Sequence, residues 1–140
     1  MKQVIRTLLE NKLLAFVTSQ GMTKSQVYWE NVATVPTGDY FRAQIFPSPT
    51  QDPSLGAKHQ RFQGIFRITY FSTNLNAGTQ AITTLIDNLI KQFPRGTQLT
   101  DGTYYVNIES TPSDTEIKYS DNKYAFVAVD VRYRMDIISS

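Results

Sequence analysis

The residues from Tyr124 to Ile137 alternate between apolar and largely charged side chains almost without interruption. A repeat of two residues is the period of a β-strand, in which successive side chains point to opposite faces of the sheet. This stretch therefore predicts a long strand with one buried face and one wetted face. The apolar positions are Ala125, Val127, Val129, Val131, Tyr133, Met135 and Ile137, and the charged positions are Asp130, Arg132, Arg134 and Asp136.

Two segments in the first third of the chain are rich in aromatic and β-branched residues, which favour strands. They are residues 27–33 and Tyr40 to Phe46, and the turn-forming residues Pro36-Thr37-Gly38-Asp39 lie between them. We therefore predict that the two strands pair as a hairpin. In the second strand, Phe41, Ala43 and Ile45 form the apolar face, and Arg42 and Gln44 point the other way.

Three more strand patterns follow along the chain. Arg61 to Thr73 is the longest and suits a central strand. A hairpin-type turn signal, Asp101-Gly102, precedes an alternating pattern over Thr103 to Ser110, and a short strand is predicted at Glu116 to Tyr119. The apolar face of the longest pattern consists of Phe62, Phe66, Ile68 and Tyr70.

Two segments repeat apolar residues every three or four positions and therefore predict amphipathic helices. The first, Val4 to Val17, ends at Ser19-Gln20-Gly21, and the second, Ala81 to Phe93, stops at Pro94-Arg95-Gly96. Asn74-Leu75-Asn76 offers N-cap residues for the second helix. The order of elements predicts one α+β domain over residues 1–140. It combines a mainly antiparallel or mixed sheet with two helices packed on one face.

The segment 47–60 carries three prolines and a glycine without any period, so it predicts a long irregular loop. Loops of this length are uncommon inside compact domains and are usually either functional or disordered. Two interpretations stay open at this point. The loop is a mobile insertion with no role in the monomer, or it becomes ordered against another subunit or partner.

The composition excludes several kinds of functional site. The chain has no cysteine and one histidine, and its seven glycines are scattered singly. Disulfides, thiolate metal sites, phosphate-binding glycine loops and the common catalytic motifs are therefore absent. His59 could serve as a base at neutral pH, but a loop histidine without rigid support is better interpreted as solvated. We predict no catalytic residue, no cofactor and no metal, and hence a protein that is not an enzyme.

The charge balance and hydropathy also limit the partners. Fourteen Lys and Arg residues against twelve Asp and Glu give a net charge of +2, too small for strong attraction to nucleic acid. Strand alternation places Arg132 and Arg134 on the opposite face from Tyr133, which breaks up any basic and aromatic platform for sequence-specific binding. The apolar runs are only a few residues long, so no membrane contact is predicted.

The second face of the predicted sheet is partly apolar. Ile65, Phe71, Tyr124 and Phe126 fall on it by alternation. Apolar surface in a domain without a catalytic constellation suggests contact with other protein subunits.

Several short motifs occur in a specific order along the chain. Together with the first helix and the proline-rich loop, they make the chain resemble the tail terminator (tail completion) proteins of long-tailed bacteriophages over nearly its whole length. The motifs are Trp29-Glu30-Asn31-Val32, Tyr40-Phe41-Arg42-Ala43-Gln44-Ile45, Arg61 with Gly64-Ile65-Phe66, Phe93-Pro94-Arg95-Gly96-Thr97 and Arg132-Tyr133-Arg134.

That resemblance implies a virion structural protein of the tail and neck, assembled in the cytoplasm of the bacterial host. Members of the family form a hexameric ring on the end of the tail tube, stop its polymerisation and present the surface that joins the head. The implied partners are further copies of the chain, the tail tube protein and a head-completion or neck protein. DNA would pass through the lumen of the ring without sequence-specific binding.

For this sequence we predict that the loop 47–60 and several arginines form the interfaces. Arginine is favoured at interfaces for its planar fork of five donors, although solvated surface charges are the competing interpretation. Trp29 is better interpreted as a core residue than as a binding hot spot. The predicted interface residues are Arg42, Pro49, Pro53, Leu55, Lys58, His59, Arg61, Arg95, Arg132 and Arg134.

Two other functions stay open from the sequence. Another neck component, such as a head-closure or connector protein, would use similar ring assembly. A small enzyme is the more distant alternative.

Overall fold

The computed structural model describes residues 2–29, 38–50, 59–73, 80–120 and 124–138. Within these ranges the chain forms two α-helices, a short 3-10 turn at Lys24–Gln26 and eight strands. The helices are α1 (Lys2–Ser19) and α2 (Gln80–Ile90). The strands are β1 (Val27–Trp29), β2 (Tyr40–Pro47), β3 (His59–Ser72), β4 (Gln98–Thr100), β5 (Tyr105–Ile108), β6 (Ser113–Asp114), β7 (Lys118–Ser120) and β8 (Tyr124–Ile138).

The described strands form one mixed, mostly antiparallel sheet in the order β1-β2-β3-β8-β5-β4. β8 is the central strand of the sheet, because one edge pairs with β3 and the other edge pairs in turn with β5, β6 and β7. The alternation of Tyr124 to Ile137 therefore predicted the most extensively paired strand of the structure. The predicted α+β class is confirmed.

Both helices pack on the same face of the sheet. α1 buries Leu9, Leu13 and Phe16 completely or nearly so, and α2 buries Ile86 and Leu89. The aromatic rings of Phe16 and Phe41 meet edge to face at 6.2 Å, and those of Phe66 and Phe93 meet at 6.4 Å. The core between the helices and the sheet includes the apolar positions predicted for β8 from Ala125 to Met135.

The strands β3 and β8 pair without a break from His59 opposite Ile138 to Ser72 opposite Ala125. Gly64 lies opposite Tyr133 in this register, where the chain passes very close to its neighbours. A Cβ atom at Gly64 would lie 2.6 Å from the carbonyl oxygen of Phe46 and 2.6 Å from the hydroxyl oxygen of Tyr133. The position therefore requires glycine for space.

The predicted hairpin between residues 27–33 and Tyr40 to Phe46 is wrong. β1 pairs with β2 in parallel, with Val27 opposite Phe41 and Trp29 opposite Ala43. Parallel neighbours need a connection that returns the chain to the same end of the sheet, which the tight turn of a hairpin does not do. Residues 30–37, which include part of the predicted strand and turn, lie outside the described residues.

The irregular segment between β2 and β3 is shorter than predicted. Pro47 still belongs to β2, and His59 and Gln60 already belong to β3, because Ile138 and Ile137 of β8 extend far enough to pair with them. Residues 48–50 lack regular structure, and residues 51–58 lie outside the described residues. The interpretation of His59 as a solvated loop residue is therefore wrong.

The remaining differences concern short elements. β4 was not predicted, and the strands predicted at Thr103 to Ser110 and Glu116 to Tyr119 are the shorter β5 and the shifted β7. The predicted turn at Asp101 is present, and its carboxylate accepts hydrogen bonds from the backbone N–H groups of Thr103 and Tyr104 at 2.9 Å. The predicted N-cap residues 74–76 lie outside the described residues.

Candidate interaction face

The face of the sheet opposite to α1 and α2 carries the ion pairs that Asp130 and Asp136 form with arginines. We call it the open face, because both described helices pack on the other side. Its side chains alternate with the buried ones along three neighbouring strands, so the register places them in rows across the sheet. They are Tyr40, Arg42, Gln44 and Phe46 of β2, His59, Arg61, Gln63, Ile65, Arg67, Thr69 and Phe71 of β3, and Tyr124, Phe126, Ala128, Asp130, Arg132, Arg134 and Asp136 of β8.

One end of the open face holds a cluster of charges around Asp136. The Nε atom of Arg61 donates to Oδ1 of Asp136 at 2.9 Å, and Nε2 of His59 lies 2.9 Å from the same oxygen. Nε of Arg134 forms an ion pair with Oδ2 of Asp136 at 3.0 Å. One carboxylate thus joins three cationic or ionisable side chains from two strands.

The protonation of Asp136 reflects these contacts. Burial by itself would raise the pKa of this carboxyl group, since burial disfavours the charged form. Hydrogen bonds from Arg61 and His59, together with the charges of Arg61 and Arg134, outweigh burial and lower the pKa. The Asp136 carboxylate is therefore ionised at neutral pH and holds the ends of β3 and β8 together.

The middle of the open face holds a second ion pair. Arg67 and Asp130 lie directly opposite each other, and the guanidinium donates to both carboxylate oxygens at 2.7 and 3.0 Å. The same guanidinium lies over the ring of Phe46, 5.3 Å from its centroid. Because the two side chains are 40% and 25% exposed, the pair contributes mainly a fixed geometry, and its effect on stability is modest.

The other end of the open face is aromatic. The rings of Tyr40 and Phe71 stack at 4.7 Å, and those of Phe71 and Phe126 stack at 5.6 Å. Tyr124 meets both Tyr40 and Phe71 edge to face. Burial, followed by the nearby Tyr124 hydroxyl, raises the pKa of Tyr40. This end of the face is therefore a preformed, largely rigid apolar surface with a few hydroxyl groups.

Arg42 lies at the border of the aromatic cluster. Its guanidinium carbon is 5.3 Å from the centroid of the Phe71 ring, a cation–π arrangement. Its Nε atom is buried and has no hydrogen-bond partner among the described residues, and the same holds for Oγ1 of Thr69 directly opposite. Buried polar atoms without partners are costly, so this row of the open face has unused hydrogen-bonding capacity.

The structure brings half of the predicted interface residues together. Arg42, His59, Arg61, Arg132 and Arg134 all lie on the open face. Arg95 is exposed beside it and lines a cavity of about 270 Å³ together with Arg134 and Glu109. Pro49 is exposed in the irregular residues after β2, away from these strands. The other three predicted residues, Pro53, Leu55 and Lys58, lie outside the described residues.

Sequence reasoning did not single out Arg67, Asp130 and Asp136 as site residues. The alternation of β8 did place both aspartates on the charged face, and this alternation was the sequence feature that could have indicated them. Their arginine partners could not be identified, because cross-strand pairing depends on the register between segments more than sixty residues apart. No sequence pattern at Arg67 indicated a partner.

The described residues contain no group of three or more side chains suited to hold a metal ion. In those same ranges, neither helix has the length and apolarity to cross a membrane. The open face therefore offers contacts of three kinds: stacked aromatic rings, arginine forks and anchored carboxylates. Of these, aromatic rings and arginines are enriched at protein interfaces.

A mixed sheet with two helices on one side and an arginine-rich, partly aromatic face on the other defines a small α+β protein with a surface suited to protein contacts. The family model described as phage tail terminator protein matches residues 4–133, and the chain belongs to that family. It is therefore a structural component of the phage tail, in agreement with the resemblance seen in the sequence.

Seven chains of solved structures match this fold. One of them has a TM-score of 0.77 over 96% of this chain and 95% of its own, at 19% sequence identity. An identity this low shows a shared fold alone. No relative is found among curated proteins.

Proposed function

We propose that this chain forms a homohexameric ring on the end of the phage tail tube, where it stops polymerisation and provides the surface that joins the head. Membership of the tail terminator family supports a role in the tail. The observation that carries the proposal further is the open face, with stacked aromatic rings at one end and arginines along its length. Arginines and aromatic rings are enriched at protein interfaces, which favours a role of this face in subunit contact.

A closed ring requires each copy to use two different surfaces, one for each neighbour. The chain offers several described surfaces of contrasting character, including the open face and the exposed side of α2. The remaining surfaces would contact the tail tube protein below and a head-completion or neck protein above. DNA would pass through the lumen without being read.

The test is electron microscopy of tails assembled with and without this protein. We expect over-long tubes that lack heads when the protein is missing, and tubes of normal length when purified protein is added back during assembly. Tubes of normal length joined to heads in its absence would contradict the proposal. Binding to the portal side of heads, and not to tube ends, would instead identify a head-closure protein.

The segment 47–60 keeps its predicted role as a contact with a neighbouring subunit or the tube. The described strand ends Pro47 and His59 show where a replacement can begin and end without removing strand pairs. We expect a glycine and serine linker of equal length in place of residues 51–58 to leave the monomer folded and to abolish tube capping. Capping at the normal level by this variant would show that the segment has no such role.

A further inference from the structure

A second charged surface lies on the opposite side of the sheet from the open face. Asp87 of α2 and Asp114 of β6 line one shallow cavity of about 40 Å³, next to Thr115 and Ile117. Glu116 follows two residues after Asp114. We call Asp87, Asp114 and Glu116 the acidic patch.

The carboxylates of the acidic patch are available for an outside partner. All three residues are exposed. Lys91 and Lys118 lie near the patch in sequence, but within the described ranges no lysine or arginine nitrogen comes within 4.0 Å of these carboxylates.

The open face has the opposite character. It carries five arginines, Arg42, Arg61, Arg67, Arg132 and Arg134, against two aspartates, Asp130 and Asp136. Both aspartates are already engaged, Asp130 by Arg67 and Asp136 by Arg61 and Arg134. The open face therefore has a surplus of positive charge, and Arg42 and Arg132 are its two arginines without an acidic partner among the described residues.

These two arginines differ in exposure but share the lack of an acidic partner. Arg132 is exposed, and its guanidinium forms no ion pair with any residue that the structure describes. Arg42 is half-buried, with its Nε atom unpartnered and its guanidinium held over Phe71. Both guanidinium groups can donate hydrogen bonds to a carboxylate of a partner.

The two surfaces lie on opposite faces of the same sheet. Asp114 pairs with Val129 in the backbone of β8, and Arg132 lies three residues further along the same strand. Asp87 and Asp114 line a cavity shared with α2 and therefore lie on the helix side, whereas Arg132 projects from the open face. A contact between the open face of one copy and the acidic patch of the next uses a different surface on each copy, so it is heterologous. Repeated heterologous contacts build a ring when the rotation between copies closes.

We propose that the open face of one copy, through Arg42 and Arg132, binds the acidic patch of the next copy. The inference rests on the proposed ring and names the two surfaces that form its subunit contact. Complementary charge selects the next copy in head-to-tail order. It also opposes face-to-face pairing, in which arginines would meet arginines.

Charge reversal on each side tests this contact. The first variant is Arg132→Glu, and the second carries Asp114→Arg with Glu116→Arg. The matched control is Lys24→Glu, which makes the same reversal at an exposed residue of the turn after α1. All substituted residues are exposed, and circular dichroism and thermal melting check that each variant folds.

We expect the affinity of self-association to fall at least about tenfold in Arg132→Glu alone and in the double variant alone. A tenfold change in Kd corresponds to about 1.4 kcal/mol. An equal mixture of the two should associate again, because each interface then pairs opposite charges in an alternating ring. The control should behave like the natural chain. Sedimentation velocity at matched concentrations measures all five samples, namely the natural chain, the control, the two charge-reversed variants and their mixture. If the natural chain is monomeric in solution, the number of copies bound to tube ends is measured for each sample instead.

Unchanged association of Arg132→Glu, or a mixture that stays dissociated, would overturn the proposed contact. If the natural chain and Arg132→Glu both cap tubes equally well, the contact is wrong while the proposed function stands. If the natural chain neither associates nor caps tubes, the proposed function itself fails.

Discussion

At the scale of single residues, Asp136 has the most unusual environment of the described carboxylates. It is the last charged residue of β8 on the open face and is contacted by Arg61, Arg134 and His59 at once. The strand alternation predicted the face on which Asp136 lies. It could not predict the partners from β3, since the register between β3 and β8 joins distant segments and the sequence patterns assigned His59 to a loop.

Replacing Asp136 with Asn should lower the free energy of unfolding by about 1–2 kcal/mol at neutral pH, since hydrogen bonds to a charged group are lost. Because the folded-state pKa is lowered, the ionised carboxylate stabilises the fold above its unfolded pKa of about 3.9. That stabilisation disappears as the pH falls through the lowered folded pKa. Urea titrations at several pH values should therefore show the two proteins converging in acid. A constant difference across this range would contradict the assignment.

Arg42 provides a contrasting case, because its buried Nε atom has no partner among the described residues. We expect Arg42→Met to change the free energy of unfolding by less than about 1 kcal/mol, since an apolar chain of similar length replaces an unsatisfied donor. The same substitution should weaken self-association. Thermal melting and sedimentation measure the two effects, and a large loss of stability with unchanged association would assign Arg42 to the fold alone.

At the scale of the elements, sequence periodicity predicted α1, α2, β3 and β8 because each has a long apolar stripe that does not depend on its neighbours. It failed where an element is defined by its partner. β1 and β4 are only three residues long, and each is a strand because it pairs with a neighbour, β2 and β5 respectively. Gly64 shows the same limit. Its sequence context indicates a strand, whereas its need for glycine comes from Phe46 and Tyr133.

Gly64→Ala should destabilise the fold by about 1–3 kcal/mol, because the added methyl group meets a backbone oxygen and an aromatic ring. Combining it with Tyr133→Phe removes the contact with the hydroxyl oxygen and leaves the contacts with the Phe46 carbonyl oxygen and, at 2.8 Å, with the ring carbon Cζ. The double variant, compared with Tyr133→Phe alone, should therefore show a smaller loss. Urea denaturation measures both differences. Equal losses in the two backgrounds would show that the tyrosine hydroxyl is not the obstacle.

At the scale of the whole molecule, the net charge of +2 conceals a separation of charge between two sides of the sheet. The sequence predicted contact with other subunits through the second sheet face, but it did not indicate the acidic patch. Asp114 and Glu116 lie in a turn-rich segment where charged side chains are usually solvated, and the arginines lie on segments whose register the sequence does not give. Only the paired strands place them on two opposed surfaces.

Self-association through these surfaces should weaken as salt rises from about 0.1 M to about 1 M, where the Debye length falls from about 10 Å to about 3 Å. Analytical ultracentrifugation across this range measures the change, and Lys24→Glu should follow the same curve as the natural chain. Association that strengthens with salt would indicate an interface held mainly by apolar contact, centred on the aromatic end of the open face.

The pairing of β3 with β8 also has a consequence during translation. His59 and Asp136 are 77 positions apart, so β3 leaves the ribosome well before the strand that completes its second edge. Closing such a distant pair is a slow step, and it comes late. A nascent chain that stops before β8 lacks Asp130, Arg132, Arg134 and Asp136, and so has neither the anchored carboxylates nor the free guanidinium of the finished protein. An unfinished copy therefore lacks the Arg132 side of the contact proposed between subunits.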